Sequence, residues 1–293
     1  MTDPTLSRRA VEAAVRLALE EDIAQGDVTT DAVVPRWVTG SASFVARVPM
    51  VLCGLPVVRE VFAQVDPAIE LEPLVREGSR SRGKGEVLAR LRGPLHSILT
   101  GERVALNFLQ RMSGIATRTA SFVDLLGDRT TRLVDTRKTT PGIRALERYA
   151  VRVGGGRNHR YNLADGILIK DNHIAAAGGV TAAVKAALSK AHHLLQVEVE
   201  VETLAQANEA VDAGARVLLL DNFSIQDLSG AVDALRARPE QLVLEASGNI
   251  SEETLVAVAD CGVDVISSGG LIHQAVWLDV ALEFAPVAGA RRS

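Results

Sequence analysis

From about Thr130 onward the chain repeats one rhythm: a short apolar strand-like run, a loop, then an alanine-rich helical stretch. The apolar runs end near Asp135, Lys170, Val201, Leu220, Ala246 and Ser267, and their starts recur about every 20 to 35 residues, a length suited to βα units. A strand joined through a helix to the next parallel strand crosses over right-handed, so such a series forms either an open doubly wound sheet or a barrel. The rhythm alone leaves both open. One run favours the barrel. Glu198, Glu200 and Glu202 alternate with valines, which at a period of two puts three carboxylates on one face and three apolar side chains on the other. A barrel strand has such unlike faces, its outer one lying under helices.

The part before this series reads differently. Val11, Ala14, Val15, Ala18 and Leu19 recur at helical spacing after Ser7, a candidate N-cap, and predict a helix ending near Glu21. A turn is expected at Gly26-Asp27. Between Ser41 and Arg92, short β-prone runs separated by Gly and Pro predict a small mixed α/β domain. A long helical segment is expected from Thr100 to Leu126. Only Pro286 to Ser293 reads as a frayed tail.

At 293 residues and 47% hydrophobic, the chain can bury a large core without covalent staples. Its 32 basic and 36 acidic residues give a net charge of -4, so no global positive field exists to recruit nucleic acid, and any anion site must be local. Cys53 and Cys261 form no CxxC pair, which argues against a zinc site or disulfide framework and suits a reducing compartment. Arg8, Arg9 and Glu12 interrupt the apolar pattern of the N-terminus, so neither a signal peptide nor a membrane span is expected there, and the chain reads as cytoplasmic.

A local anion site has an address. Arg137, Lys138, Arg144, Arg148, Arg152, Arg157, His159, Arg160 and Lys170 fall between Asp135 and His173, on or beside strand ends. Arginine offers a planar fork to carboxylate or phosphate and lysine a compact charge, a mixture suited to substrates with several anionic groups. Arg144, Arg148 and Arg152, four apart on an expected helix, fit a solvated basic face at least as well. Arg137 and Lys138 end a strand and precede the turn Thr139-Thr140-Pro141-Gly142, where side chains of parallel strands face ligands. Gly154-Gly155-Gly156 matches no dinucleotide fingerprint and reads as a close-approach or flexible loop. His159, between Asn158 and Arg160, is read as part of anion recognition.

Carboxylates crowded on one strand face need cations nearby. Glu200 with Asp221, at the end of Val217 to Leu220, is a candidate Mg²⁺ pair, directly or through water; the other reading is that these acids orient Lys138 or Lys170, and the two are compatible. Ser247-Gly248-Asn249 and Ser268-Gly269-Gly270 follow successive strands and are small enough for backbone N–H groups to approach a phosphate.

Taken together, Glu102-Arg103-Val104-Ala105-Leu106-Asn107, Asp135 to Gly142, Gly154 to Arg160 and Leu168-Ile169-Lys170-Asp171-Asn172-His173 resemble the quinolinate phosphoribosyltransferases, also called carboxylating nicotinate-nucleotide pyrophosphorylases. The likeness begins at Glu21-Asp22-Ile23 with Gly26-Asp27-Val28-Thr29, includes Glu198 to Glu202 and both serine-glycine loops, and leaves out only the tail. It implies an α/β chain: a small open-faced N-terminal domain over residues 1–114, an incomplete barrel of about seven strands over 115–275, and a segment 276–293 returning to the N-terminal domain. It further implies a homodimer, with higher assembly left open, whose active sites lie at the subunit interface.

By the same resemblance, Arg137, Lys138, His159, Arg160 and Lys170 would hold quinolinate and the pyrophosphate side of phosphoribosyl pyrophosphate, and Arg103 would reach in from the neighbouring subunit. Glu200 and Asp221 would serve Mg²⁺ and the ribose; Ser247, Gly248, Asn249, Ser268, Gly269 and Gly270 would hold the 5'-phosphate. Lys138, Lys170, Glu200 and Asp221 are the expected catalytic residues. The competing expectations are a related transferase using nicotinate or another heterocycle, a barrel isomerase or aldolase acting on a sugar phosphate with Lys170 as a Schiff-base lysine, and a non-catalytic anion binder or inactive relative.

Overall fold

The computed structural model describes residues 6–285, so the expected tail lies outside the described residues. In chain order the elements are α1 (Arg8–Ile23), α2 (Val28–Val33), β1 (Thr39–Ala46), β2 (Met50–Val51), α3 (Leu55–Val65), β3 (Glu70–Pro73), β4 (Arg80–Ser81), β5 (Glu86–Pro94) and α4 (Leu95–Leu126). Then come β6 (Arg132–Val134), α5 (Arg144–Val153), β7 (Ile167–Ile169), α6 (Asp171–Ala177), α7 (Val180–Lys190), β8 (Val197–Val201) and α8 (Leu204–Asp212). The chain closes with β9 (Val217–Asp221), α9 (Ile225–Arg236), β10 (Val243–Ser247), α10 (Glu252–Asp260), β11 (Val265–Ser267), α11 (Gly270–His273) and β12 (Val280–Phe284).

These elements form two compact units. The first takes residues 1–120, 139–155 and 274–293. Its main sheet has the order β12-β1-β5-β3, antiparallel throughout. α3 lies over this sheet: Phe62 and Phe44 of β1 are buried with ring centroids 6.4 Å apart, and burial of each contributes about 1.5–3 kcal/mol. α1, capped by Ser7, runs two residues past the expected end and packs on α3 through its apolar stripe. The expected turn is present, closed by the Gly26 N–H donating to the Ile23 carbonyl at 2.7 Å, and Asp27 goes on to cap α2, its carboxylate accepting the N–H of Thr30 at 2.9 Å.

The first unit also holds α5, whose position no local pattern announced. Its Glu147, fully buried, accepts from Arg111 of α4 at 2.7 and 3.0 Å and from the N–H and hydroxyl of Thr140, each at 2.8 Å. Tyr149 donates to Glu77 at 3.1 Å, and Glu77 also accepts the N–H groups of Gly54 and Leu55 at the start of α3. Arg148 is only 5% exposed, so the four-residue spacing of Arg144, Arg148 and Arg152 does not mark a wholly solvated face. Gly154 ends this helix against α4: a Cβ there would stand 2.4 Å from the carbonyl oxygen of Ala116, which accounts for glycine at that place in the triple-glycine loop.

The second unit takes residues 121–138 and 156–273 and is a parallel sheet of order β6-β11-β10-β9-β8-β7, in which every strand but β6 is followed by a helix of the same unit. Because β6 pairs with β11, the last strand of the series, the sheet curls back toward its own beginning and stays open between β6 and β7. Six strands are present among the described residues where about seven were expected. The seventh place is reduced to one parallel bridge, Val134 to Arg157, on the free edge of β6. In β8 the valines are 0–5% exposed. Glu198 and Glu200 share the strand's other face, whereas Glu202 lies past the strand end, exposed, with its N–H donated to Gln206 Oε1 at 2.8 Å. The expected row of three carboxylates is therefore a pair.

Candidate active site

The carboxyl ends of the six parallel strands surround a pocket of about 470 Å³ within the second unit. Such ends are where βα folds place reacting groups, since the loops there are free to vary over a rigid sheet. Thr136, Arg137 and Lys138 enter from the loop after β6, His159 and Arg160 from the segment before β7, and Lys170 from just after β7. Glu200, Asp221, Glu245, Ser247 and Ser267 come from β8 to β11 themselves.

Local geometry fixes the cations. Lys138 donates its backbone N–H to the Thr136 hydroxyl at 3.1 Å, a side-chain turn that stops β6 and projects the lysine. Asp135, fully buried at the end of β6, accepts the N–H of His159 at 2.8 Å and the Asn158 amide at 2.7 Å, and so pins the segment that carries Arg160. Arg160 donates to the carbonyl of Gly166 at 2.9 Å. Burial, and then the like charge of Arg137, lower its pKa, the signature of two guanidinium groups gathered for an anion.

The acids alternate with the cations. Lys170 donates to Glu200 across β7 and β8. Asp221 ends β9 and accepts from the Asn222 amide at 2.7 Å; burial and the neighbouring Glu200 charge raise its pKa, with Lys170 opposing them. In the loop after β10, Gly248 has φ +91° and a Cβ there would meet Asn222 Oδ1 at 2.1 Å. Asn249 Nδ2 donates to that same oxygen at 3.3 Å, and both asparagines have left-handed backbone, which asparagine tolerates better than other non-glycine residues.

Of the residues singled out in the sequence, Arg137, Lys138, His159, Arg160, Lys170, Glu200, Asp221, Ser247, Gly248 and Asn249 line this one pocket. Ser268, Gly269 and Gly270 do not line it. Ser268 donates its N–H to the carbonyl of Val134 at 3.0 Å, and Gly269 lies beside the Lys138 side chain. Arg103 is exposed on α4 in the first unit. Thr136, Leu168, Leu219 and Ser267 also line the pocket without having been singled out, and three further residues were missed that shape its chemistry. Asn222 orders the loop after β10, and Glu245 and Glu198 contact His159. Their signal was present: Glu245 is a lone acid inside Val243 to Ala246, an otherwise apolar run.

The model for the C-terminal domain of quinolinate phosphoribosyl transferase matches residues 115–283, and the N-terminal domain model matches 27–113. The chain belongs to the quinolinate phosphoribosyltransferase family. Relatives agree over nearly the full length of the family fold. A probable nicotinate-nucleotide pyrophosphorylase [carboxylating] of Synechocystis is 42% identical over 90% of this chain and 89% of that protein. A quinolinate phosphoribosyltransferase [decarboxylating] 1 of Nicotiana glauca is 38% identical over 96% of this chain and 83% of its own. Among solved structures, the nicotinate-nucleotide pyrophosphorylase from Francisella tularensis superposes with a TM-score of 0.89 at 40% identity, covering 97% of this chain and 99% of that one. The family match spans the segments that carry every lining residue of the pocket.

Proposed function

We propose that this chain transfers the phosphoribosyl group of phosphoribosyl pyrophosphate to quinolinate and releases carbon dioxide and pyrophosphate, giving nicotinate mononucleotide for NAD biosynthesis. The observation that carries this reading is the convergence of Arg137, Lys138, Arg160 and Lys170 with Glu200 and Asp221 on one pocket. Quinolinate is a dicarboxylate and its donor bears a phosphate and a pyrophosphate, so both together need several fixed cations. As pyrophosphate departs, positive charge grows at the anomeric carbon of the ribose, and the carboxylates of Glu200 and Asp221 stabilise it. Lys138 and Lys170 take up the negative charge of the leaving group. No protein nucleophile is required. Once the ring nitrogen carries ribose it is cationic and stabilises the electron pair left on the adjacent ring carbon as its carboxylate departs as carbon dioxide; a proton from water then takes the carboxylate's place on that carbon. The pocket holds the reactants in register and limits water.

Glu200 and Asp221 also suit Mg²⁺. Asp221 is partly buried beside a second carboxylate, an excess of negative charge that a cation relieves, and Mg²⁺ takes few protein carboxylates while keeping waters and phosphate oxygens. When bound, the ion neutralises the pyrophosphate; Glu200 and Asp221 would hold it directly or through water. The reading extends to a homodimer in which exposed Arg103 serves the neighbouring subunit's pocket. Both cysteines are free, which supports a cytoplasmic protein, and no helix among the described residues is long and apolar enough to cross a membrane.

The test is incubation of the purified protein with Mg²⁺, phosphoribosyl pyrophosphate and carboxyl-labelled quinolinate, with nicotinate as a parallel acceptor. Equimolar nucleotide and labelled carbon dioxide from quinolinate, with little product from nicotinate, is expected. Product from nicotinate alone, or from neither, would overturn the reading.

A further inference from the structure

Three titratable groups from separate parts of the second unit meet where His159 and Glu245 line the pocket. His159 Nε2 is 3.2 Å from Glu198 Oε2 and 3.6 Å from Glu245 Oε2. Glu198 is 7% and Glu245 4% exposed, and the Oε1 atom of each is buried with no hydrogen-bond partner. One imidazole of the pocket lining thus faces two carboxyl groups.

The three ligand atoms lie within 4.8 Å of one another, a spacing a metal ion could use. The histidine argues against it. Its Nδ1 accepts the backbone N–H of Arg160 at 2.7 Å, so the proton of the neutral ring sits on Nε2, and a metal would need that lone pair. The Nε2 proton instead serves Glu198, the nearer acid. Two ionised carboxylates here would repel by about 4 kcal/mol at 4 Å and an effective dielectric of 20. The acids raise the imidazole's affinity for a further proton, chiefly through the hydrogen bond to Glu198, but such a proton would point at the Arg160 N–H. When the cluster takes up a further proton, that proton therefore goes to the second acid. Burial, and then the charge of Glu198, push Glu245 up to about 7, while His159 and the Ser267 hydroxyl oppose the shift. The residues in register with Glu245 on the flanking strands, Leu219 of β9 and Val265 of β11, are apolar.

We propose that Glu245 is the charge-adjusting residue of the acceptor site, taking up one proton from solvent when the dicarboxylate enters the pocket. It is a positioning residue. As the neutral acid it adds no negative charge to the pocket it lines with Arg160; as the carboxylate it sets a second buried anion beside Glu198 and repels the entering dicarboxylate. The inference rests on quinolinate being the acceptor.

The sign follows from linkage. A bound dianion disfavours the Glu245 carboxylate, so its pKa in the complex lies above about 7 and affinity is greatest below that value, falling as pH rises through it. Quinolinate's own carboxylates stay ionised throughout this window. Calorimetric titration with quinolinate at pH 6.5, 7.5 and 8.5, in buffers of different ionisation heat, reads both affinity and proton uptake. Wild type is expected to take up about two thirds of a proton at pH 7.5 and to lose about tenfold in affinity between pH 6.5 and 8.5. Glu245→Gln, neutral at every pH, should take up almost none and bind about tenfold more tightly than wild type at pH 8.5.

A merely structural role predicts weaker binding by the variant at all pH values, and that result, or unchanged proton uptake, would overturn the proposal. Infrared difference spectra of wild type give a second reading that needs no variant: a protonated-carboxyl band must grow when quinolinate binds, and its absence counts equally against the proposal. Failure of quinolinate to bind wild type at any pH would overturn the functional reading, and this inference with it.

Discussion

The Lys170 ammonium is bonded to the Glu200 carboxylate across adjacent strands, β7 to β8. In this pairing the lysine nitrogen donates to a carboxylate, whereas a Schiff-base lysine must present its nitrogen lone pair to a carbonyl carbon. Borohydride treatment with sugar phosphates should therefore leave Lys170 unlabelled. Glu200→Gln should lower kcat by about two orders of magnitude and change quinolinate Kd little, because the acid acts on charge that develops at the ribose. Steady-state kinetics with calorimetry separates the two effects.

Arg137 and Arg160 present their charges to the same pocket, and Arg160 is held by the Gly166 carbonyl at 2.9 Å. Removing either leaves a bound carboxylate without a partner in a partly desolvated site, at a cost of about 2–5 kcal/mol. Arg137→Ala and Arg160→Ala should each weaken quinolinate binding at least about tenfold. An unchanged Kd by calorimetry would show that quinolinate is recognised elsewhere.

The legible parts of this protein are those where one physical constraint acts on consecutive residues. The six strand ends could be read because βα units space them evenly, and the unlike faces of β8 showed in its Val-Glu alternation. Glu202 was misplaced since the alternation continues one residue beyond the last strand residue, and hydropathy does not record where pairing stops. The seventh strand survives as a single bridge at Arg157, too short for any periodicity. α5 could be read as a helix but not assigned to the first unit, because Arg111, Glu147 and Glu77 are far apart in sequence and only folding brings them together. Glu245 escaped because one charge in an apolar run carries no period; its meaning comes from His159 and Glu198, supplied by other segments.

Glu147 is fully buried and receives four hydrogen bonds from Arg111 and Thr140. Glu147→Ala would leave the Arg111 guanidinium, itself only 12% exposed at the side chain, without its carboxylate. Breaking a buried pair from one side costs about 3–5 kcal/mol. A loss of that size in urea denaturation, followed by a probe within the first unit, is expected, with Glu147→Gln losing less because the amide oxygen still accepts. A loss below about 1 kcal/mol would mean the pair adds little beyond its desolvation cost.

Arg103 is an exposed cation on α4, with burial of Val104, Ala105 and Leu106 fixing the helix face from which it projects. If it serves the neighbouring subunit's pocket, its loss and the loss of Lys138 damage different halves of a shared site. Arg103→Ala and Lys138→Ala homodimers should each be nearly inactive. Mixed and allowed to exchange, they form hybrid dimers in which one pocket carries both lesions and the other carries neither. With random exchange half of all dimers are hybrids, so about one quarter of wild-type activity should return. Exchange is verified independently by the mass of a tagged hybrid. No recovery in a verified hybrid would place Arg103 in the service of its own subunit or outside the site altogether.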